Sequence, residues 1–564
     1  MQRHVVFRGT RILILAYCSL FMSSACWATG TDNRPNVLLV VVDDMGYSDV
    51  GCYGGEIETP SIDRLAESGI RFTQFYNCSR CTSTRASLLT GAYPHRVGMR
   101  EFGHTMDEDV PTLAENLRDN GYATAMVGKW HLSELPTTSN QSERILWMNH
   151  ELELDEPFAE VSSYPTRRGF DRFYGIIWGV VNHFDPFSLT DGETPVKAVP
   201  NDFYMTDAIS ERSVDYIREF AKSDRPFFLY VAYTAPHWPI QARPEDIAKY
   251  RDRYSIGWDA LRRQRFAKQQ ELGLFGKDVP LGSISGTGRP WESIPTDDRQ
   301  YLAGKMAVHA AMVDRVDQSL GKIVGELRET NQLENTIIFL LSDNGASPEI
   351  PGGPGYDRNG GTRDGRDALR EAELKSGDNY SKLGSDESYT GIGPSWASAA
   401  NTPLRYWKSE SYEGGCRTPL IIHWPAGIAA PAGSLVRDVG HVVDIAPTCY
   451  KLANAHTRPD TLCDGLSLTP IMKGEALASK RMIYFDHGQG KGVRQQQWKA
   501  SRRDNRNWQL FDLERDPGET QDLSDSEQEQ LDHLLQAWSA WRQDVSQQRE
   551  EQLSLLGPNS RSKK

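Results

Sequence analysis

Four side chains in this sequence offer oxygen ligands at matching places. Asp43-Asp44 follows the unbroken apolar, β-branched run at 36–42, and Asp343-Asn344 follows a second such run at 336–341. Runs of this kind read as strands buried on both faces. Adjacent carboxylates just past a buried strand are costly unless a cation or a counter-charge meets them. In a parallel sheet both strand ends fall on one edge, where open α/β sheets place their ligands. The four residues would then converge as an all-oxygen set suited to a hard cation, Ca2+ or Mg2+, rather than zinc. Ordinary Asp/Asn turn chemistry explains one such end; two on one edge favour a metal. Two further apolar runs, 122–128 and 226–233, lead into Lys129-Trp130-His131 and Ala235-Pro236-His237. They bring a cation and two imidazoles to the same edge. In an extended segment Lys129 and His131 point the same way.

The remaining reactive group is Cys81, four residues before Arg85 in FYNCSRCTSTRASLLTG. Thr82, Ser83 and Thr84 are capping residues ahead of 85–89, which puts Cys81 at a helix N-terminus. The N–H groups and dipole there favour an anion such as sulfate or phosphate. The competing reading is a buried structural thiol. Cys78 and Cys81 imitate a C-x-x-C redox pair but lack the βαβ setting that motif needs. Eight cysteines, with Cys18 and Cys26 near the N-terminus, are too few for a disulfide scaffold. Cys449 with Cys463 stays an open pairing.

The elements that must position these groups follow from pattern and length. At 564 residues the chain exceeds one compact core. Helical spacing predicts helices at 112–120, 207–221, 259–271, 305–331 and 526–544. Strand–helix alternation then predicts an α/β fold: a large mixed, mostly parallel sheet sandwiched by helices. From about 479 short apolar runs predict a smaller C-terminal antiparallel sheet with a helix. The expected organisation is a signal peptide at 1–28, a catalytic domain at 33–478, a C-terminal subdomain at 479–545 and a flexible tail at 546–564. Long loops at 140–202, 243–298 and 346–401 read as walls of a substrate cleft.

Arg3, Arg8 and Arg11, an apolar run at 12–22 and small residues at Ala25 and Ala28 make the leader a secretory signal. Ser24-Ala25-Cys26 faintly resembles a lipoprotein cleavage site, with Ser23 in place of the aliphatic residue. The expectation is export to the periplasm or beyond, without stable membrane insertion. The formal charge of −13 becomes −16 once the leader's three arginines go, which argues against nucleic acid as a partner.

The Asp-Asp strand end, CTSTRASLLTG, GKWH, APHWP, SDNG and LRYWKSESYEGG occur in the order of the formylglycine-dependent sulfatases, and WQLFDLERDPGETQDL resembles that family's closing segment. The resemblance, to bacterial arylsulfatase-like members of the alkaline phosphatase superfamily, covers nearly the whole mature chain. It implies one Ca2+ held by Asp43, Asp44, Asp343, Asn344 and the modified Cys81. It also implies a maturation enzyme that oxidises Cys81 to formylglycine (3-oxoalanine), whose hydrate attacks sulfur. Arg85 and Lys129 would hold the hydrate and the sulfate oxygens. His131 would assist aldehyde regeneration, and His237 and Lys408 would protonate or neutralise the leaving oxygen. Ser83 stands where the family carries Pro or Ala, a position that contributes to recognition by the maturation enzyme.

A sulfate monoester needs positive charge around its equatorial oxygens and an in-line nucleophile. A hydrate can then expel sulfate by rebuilding its carbonyl, where a serine ester would need a second attack at sulfur. The expected substrate is a sulfated small molecule or glycan, with export and wide loops favouring carbohydrate. The competing readings are a phosphodiester or phosphonate hydrolase of the same superfamily and a non-catalytic binder of sulfated glycans.

Overall fold

The computed structural model describes residues 33–99, 104–134, 157–285, 289–352, 368–477, 480–487, 490–503 and 505–555, with positions 2 and 143 besides. Apart from position 2, the signal peptide read at 1–28, Cys26 included, lies outside the described residues. So do 556–564.

The strands, in chain order, are β1 (Asn36–Val42), β2 (Ile70–Tyr76), β3 (Ala123–Lys129), β4 (Arg172–Ile176), β5 (Leu189–Asp191), β6 (Thr194–Pro195), β7 (Phe227–Ala232), β8 (Thr336–Ser342), β9 (Arg417–His423), β10 (Ser434–Val436) and β11 (Gly440–His441). They form one sheet in the order β10-β2-β9-β8-β1-β7-β3-β4-β5-β6, with β11 beside β2. The four strands whose ends carry the chemistry, β8, β1, β7 and β3, are contiguous and mutually parallel. Every residue of β1, β7 and β8 is buried, as their unbroken apolar runs require. Val37, Leu39 and Val41 enter one apolar layer, and Leu38, Val40 and Val42 enter the other. Helix α1 (Pro60–Ser68) and the long helix Thr296–Glu329 cover the second layer; α2 (Cys81–Thr90) and α3 (Leu113–Asp119) cover the first. A four-stranded antiparallel sheet follows: β12 (Met482–His487), β13 (Gly490–Gln495), β14 (Trp498–Arg503) and β15 (Gln509–Asp512). The α/β architecture expected from the sequence is the one the chain adopts.

Several boundaries move for identifiable reasons. The helix expected at 305–331 starts at Thr296, because Asp297 and Asp298 suit its positive end and no proline lies between them and Lys305, while Gly304 is held in the helix interior. The expected helix at 112–120 is α3 with Thr112 as its cap. Thr112 Oγ1 accepts from Glu115 N (3.0 Å), and Thr112 N donates to the Glu115 carboxylate (2.7 Å). The helix Pro244–Tyr250 was not expected within the polar segment 243–298. The closing helix, Gln528–Leu555, runs past the expected stop at 544. Residues 545–555 contain no Gly or Pro and are rich in Gln and Glu, so nothing breaks it. Positions 546–555, expected as flexible tail, are therefore helical.

Cys52, Cys78, Cys81, Cys416, Cys449 and Cys463 are all unpaired, so the open Cys449–Cys463 pairing is not formed. Among the described residues no helix is long and apolar enough to cross a membrane.

Candidate active site

The ends of β1 and β8 meet. Asp44, with a left-handed backbone (φ 67°), donates its N–H to Asp343 Oδ1 at 3.3 Å, and Asn344 Nδ2 donates to Asp44 Oδ1 at 2.5 Å. Asp43, Asp44, Asp343 and Asn344 are all essentially inaccessible to solvent. Gly345 allows this crossing: a Cβ there would lie 1.7 Å from the Gly414 carbonyl oxygen, so the segment carrying Lys408 could not close over β8.

Cations from three other elements fill the same pocket. Lys129, the last residue of β3, donates to Asp43 Oδ2 at 2.7 Å. Arg85 from α2 donates through Nε and Nη2 to Asp343 Oδ2 (3.0 and 2.7 Å), and through Nη1 to the Lys129 carbonyl (3.1 Å). Lys408 reaches Asp44 Oδ1 at 3.0 Å and donates to His237 Nε2 at 3.0 Å. The carboxyl groups of Asp43, Asp44 and Asp343 thus face three cations on a single buried sheet edge.

Cys81 is the first residue of α2 and 5% exposed. The expected capping by Thr82, Ser83 and Thr84 does not occur, because the helix begins at Cys81 and takes them into its first turns. Thr84 Oγ1 instead accepts from Cys78 N at 3.0 Å, outside the helix. Burial pushes the Cys81 thiol up, although Lys129 and Lys408 pull the other way. An unmodified Cys81 is therefore held as a neutral thiol, a weak nucleophile.

Burial, then the Lys408 and Lys129 charges, hold the His237 imidazole neutral. Its Nδ1–H donates to the Trp238 carbonyl at 2.6 Å, which leaves Nε2 to accept from Lys408. Against the desolvation that opposes it, the carboxylates of Asp44 and Glu349 keep the Lys408 ammonium charged. His131 is likewise held neutral by burial and by Lys129 and Arg85. Its ring packs edge-on against Trp178, with centroids 5.8 Å apart. Contrary to the extended geometry expected, His131 has a left-handed backbone (φ 59°), because β3 ends at Lys129.

A hard cation fits this donor set. Ligand oxygens of Asp43 and Asp44 and a His237 nitrogen lie within 4.8 Å of one another. The buried Oδ1 atoms of Asp43 and Asn344 accept no hydrogen bond from any described residue. Burial, with Asp43 and Asp343 nearby, pushes the Asp44 carboxyl up to about 7 despite Lys408. Acceptors left without donors and a carboxyl reluctant to ionise are what a carboxylate cluster shows when its counter-charge falls short.

Two contributors escaped the sequence reading. Glu349 accepts from Trp238 Nε1 (2.6 Å) and Ser347 Oγ (3.0 Å), and lies 3.5 Å from Lys408 Nζ. Burial raises its pKa, but the Lys408 charge and the hydrogen bonds from Trp238 and Ser347 outweigh that and hold it at about 2. His183 Nε2 lies 3.3 Å from the His237 carbonyl and its Nδ1 3.3 Å from Thr234 Oγ1. Both come from irregular loops without periodicity. The only available signal was a Glu shortly after SDNG and a histidine within an aromatic-rich segment.

The sulfatase family model matches residues 35–455, and the model for the N-sulphoglucosamine sulphohydrolase C-terminal region matches 405–538. An uncharacterised sulfatase of Schizosaccharomyces pombe is 31% identical, across 90% of this chain and 93% of its own. An arylsulfatase of Klebsiella aerogenes is 31% identical, across 74% of this chain and 87% of its own. The crystal structure of Ps i-CgsB in complex with k-i-k-neocarrahexaose is similar with a TM-score of 0.63 and 27% identity, covering 90% of this chain and 92% of that one.

Proposed function

From the premise that the chain belongs to the sulfatase family and is a sulfuric ester hydrolase, we propose that it removes sulfate from sulfated carbohydrates after export, using Cys81 matured to formylglycine and one bound Ca2+. The reading is supported by the meeting of Arg85, Lys129, His237 and Lys408 with Asp43, Asp44, Asp343 and Asn344 on one buried edge, and by Cys81 and His131 lying within the electrostatic reach of the same cations. The carbohydrate assignment is supported by the oligosaccharide bound to Ps i-CgsB and by the long loops beside the site.

When present, the formylglycine hydrate supplies the nucleophile, and the cation, held by Asp43, Asp44, Asp343, Asn344 and residue 81, supplies charge to the sulfate oxygens. The chain's own side chains do the rest. Arg85 and Lys129 flank residue 81 and orient the tetrahedral anion through charge-assisted hydrogen bonds. His131, held neutral, would accept a proton from residue 81. Lys408, which already holds a proton beside His237 Nε2, delivers it to the departing sugar oxygen.

Peptide mass spectrometry of protein from its native host, read beside turnover of sulfated oligosaccharides, tests the proposal. We expect a Cys81 peptide lighter by about 18 Da, the mass difference that cysteine-to-formylglycine chemistry requires, and loss of turnover in Cys81→Ala. An unaltered thiol in protein that turns over no sulfate ester would favour a glycan binder. Turnover of phosphate diesters well above sulfate esters would favour the phosphodiesterase reading.

A further inference from the structure

We propose that the crevice between the β2 side of the large sheet and the C-terminal sheet is a second saccharide site, holding a sulfated sugar other than the one being cleaved. The inference rests on the sulfated-carbohydrate reading above. The crevice encloses about 530 Å³ and shares no lining residue with the catalytic cluster. That volume lies in the range of small-ligand pockets and far exceeds what one bare oxyanion needs.

Four guanidinium groups line it, from Arg417, Arg437, Arg481 and Arg494. Arg417 and Arg494 are buried and locked in place. Arg417 Nε donates to the Thr73 carbonyl (2.7 Å) and Nη1 to Glu413 (3.2 Å). Arg494 donates to the Gln496 carbonyl (2.9 Å), to Tyr76 Oη and to Gln74 Oε1. The other two keep donors in hand. Arg437 is exposed and uses only Nη2, on the Gly273 carbonyl (2.8 Å). Arg481 spends only Nη1, on both oxygens of Asp444 (2.8 and 2.7 Å).

Arg437 makes no ion pair with any described residue, whereas the Arg494 charge is shared with buried Glu413. Two acids also line the crevice, Asp438 and Glu514, and Asp438 Oδ1 is engaged by Leu477 N at 2.8 Å. The side-chain amides of Gln496 and Gln497 make no hydrogen bond to any described residue, and Phe275 and Leu513 supply apolar wall. Guanidinium forks match sulfate, free amides match hydroxyls, and an apolar wall matches the C–H face of a sugar ring. A polymer tethered here would present its other sulfates to the catalytic edge at raised local concentration.

Hydrogen exchange on the full chain tests this, with hexasaccharides from carrageenan, chondroitin sulfate and heparin, and with inorganic sulfate, as probes. At least one hexasaccharide should slow exchange at 274–279 and 492–498. Arg437→Glu should weaken that binding by about tenfold, the loss of one charged contact, and leave kcat on 4-nitrophenyl sulfate within twofold. Equal protection by inorganic sulfate alone, no protection by any hexasaccharide, or unchanged binding by Arg437→Glu would overturn the proposal. A protein that desulfates no saccharide would instead overturn the carbohydrate reading; one that desulfates saccharides with this crevice unprotected loses only the second site.

Discussion

Proton placement at single residues decides what the catalytic edge can do. Lys408 keeps its proton while His237 stays neutral beside it, so in the proposed mechanism the acid for the leaving oxygen is the amine. Lys408→Ala should lower kcat/KM on sugar sulfates by roughly 10²–10⁴ but on 4-nitrophenyl sulfate by no more than about tenfold, since nitrophenolate needs little protonation. A series of leaving groups measures this, and equal losses across it would rule out the acid role. His131 depends on an absence of side chain next to it. A Cβ at Gly179 would lie 2.1 Å from His131 Cε1, so the ring or the backbone must shift. Gly179→Ala should therefore reduce kcat by about 10- to 100-fold, the scale of an overpacking strain of 1–3 kcal/mol. Wild-type turnover in that variant would show that the ring's position is immaterial.

At the scale of elements, the segment that carries Lys408 is held from the C-terminal sheet. Lys499 of β14 donates to Glu413 Oε1 at 2.7 Å and lies 3.2 Å from Glu519, whose Oε2 accepts from Glu413 N at 2.7 Å. All three side chains are fully buried. Burial, reinforced by Glu413 and opposed by Lys499, pushes Glu519 up to about 7. Burial raises Glu413 as well, but Lys499, Arg417 and Arg494 outweigh it and hold it at about 2. The folded chain thus binds a proton at Glu519 that the unfolded chain has lost above its ordinary value of 4.5. That contribution is complete below pH 4.5 and disappears as pH rises through 7. Thermal unfolding at pH 6 and pH 8.5 should show a loss on the order of 1–3 kcal/mol, and Glu519→Gln should flatten it. An identical pH slope in the variant would remove Glu519 as the cause.

For the whole molecule the central quantity is charge. The edge sets four carboxylates, Asp43, Asp44, Asp343 and Glu349, against the three cations Arg85, Lys129 and Lys408, so one divalent ion would leave it positive and able to hold an anionic ester inside an acidic protein. Chelation with EGTA should lower turnover at least tenfold and reduce Tm, and added Ca2+ should restore both. Ligand linkage gives about 4 kcal/mol of stabilisation at a thousandfold excess over Kd. A Tm independent of calcium concentration would contradict a resident ion.

Much of this was written along the chain. The unbroken apolar runs could only be doubly buried strands, and Asp43-Asp44, Asp343-Asn344, Lys129 and His237 at their ends had to share an edge if those strands ran parallel. Local propensity placed the helices it did predict to within a few residues, except where Thr296 and Leu555 extend them, and it missed Pro60–Ser68 and Pro244–Tyr250. Only the tertiary structure could supply Glu349 and His183, because irregular loops carry no repeat that ties a residue to a place. It alone also showed that Lys499 and Glu519 brace the Lys408 segment and that four distant arginines line one crevice. Contacts between residues hundreds of positions apart are set by packing, and packing leaves no local trace in a sequence.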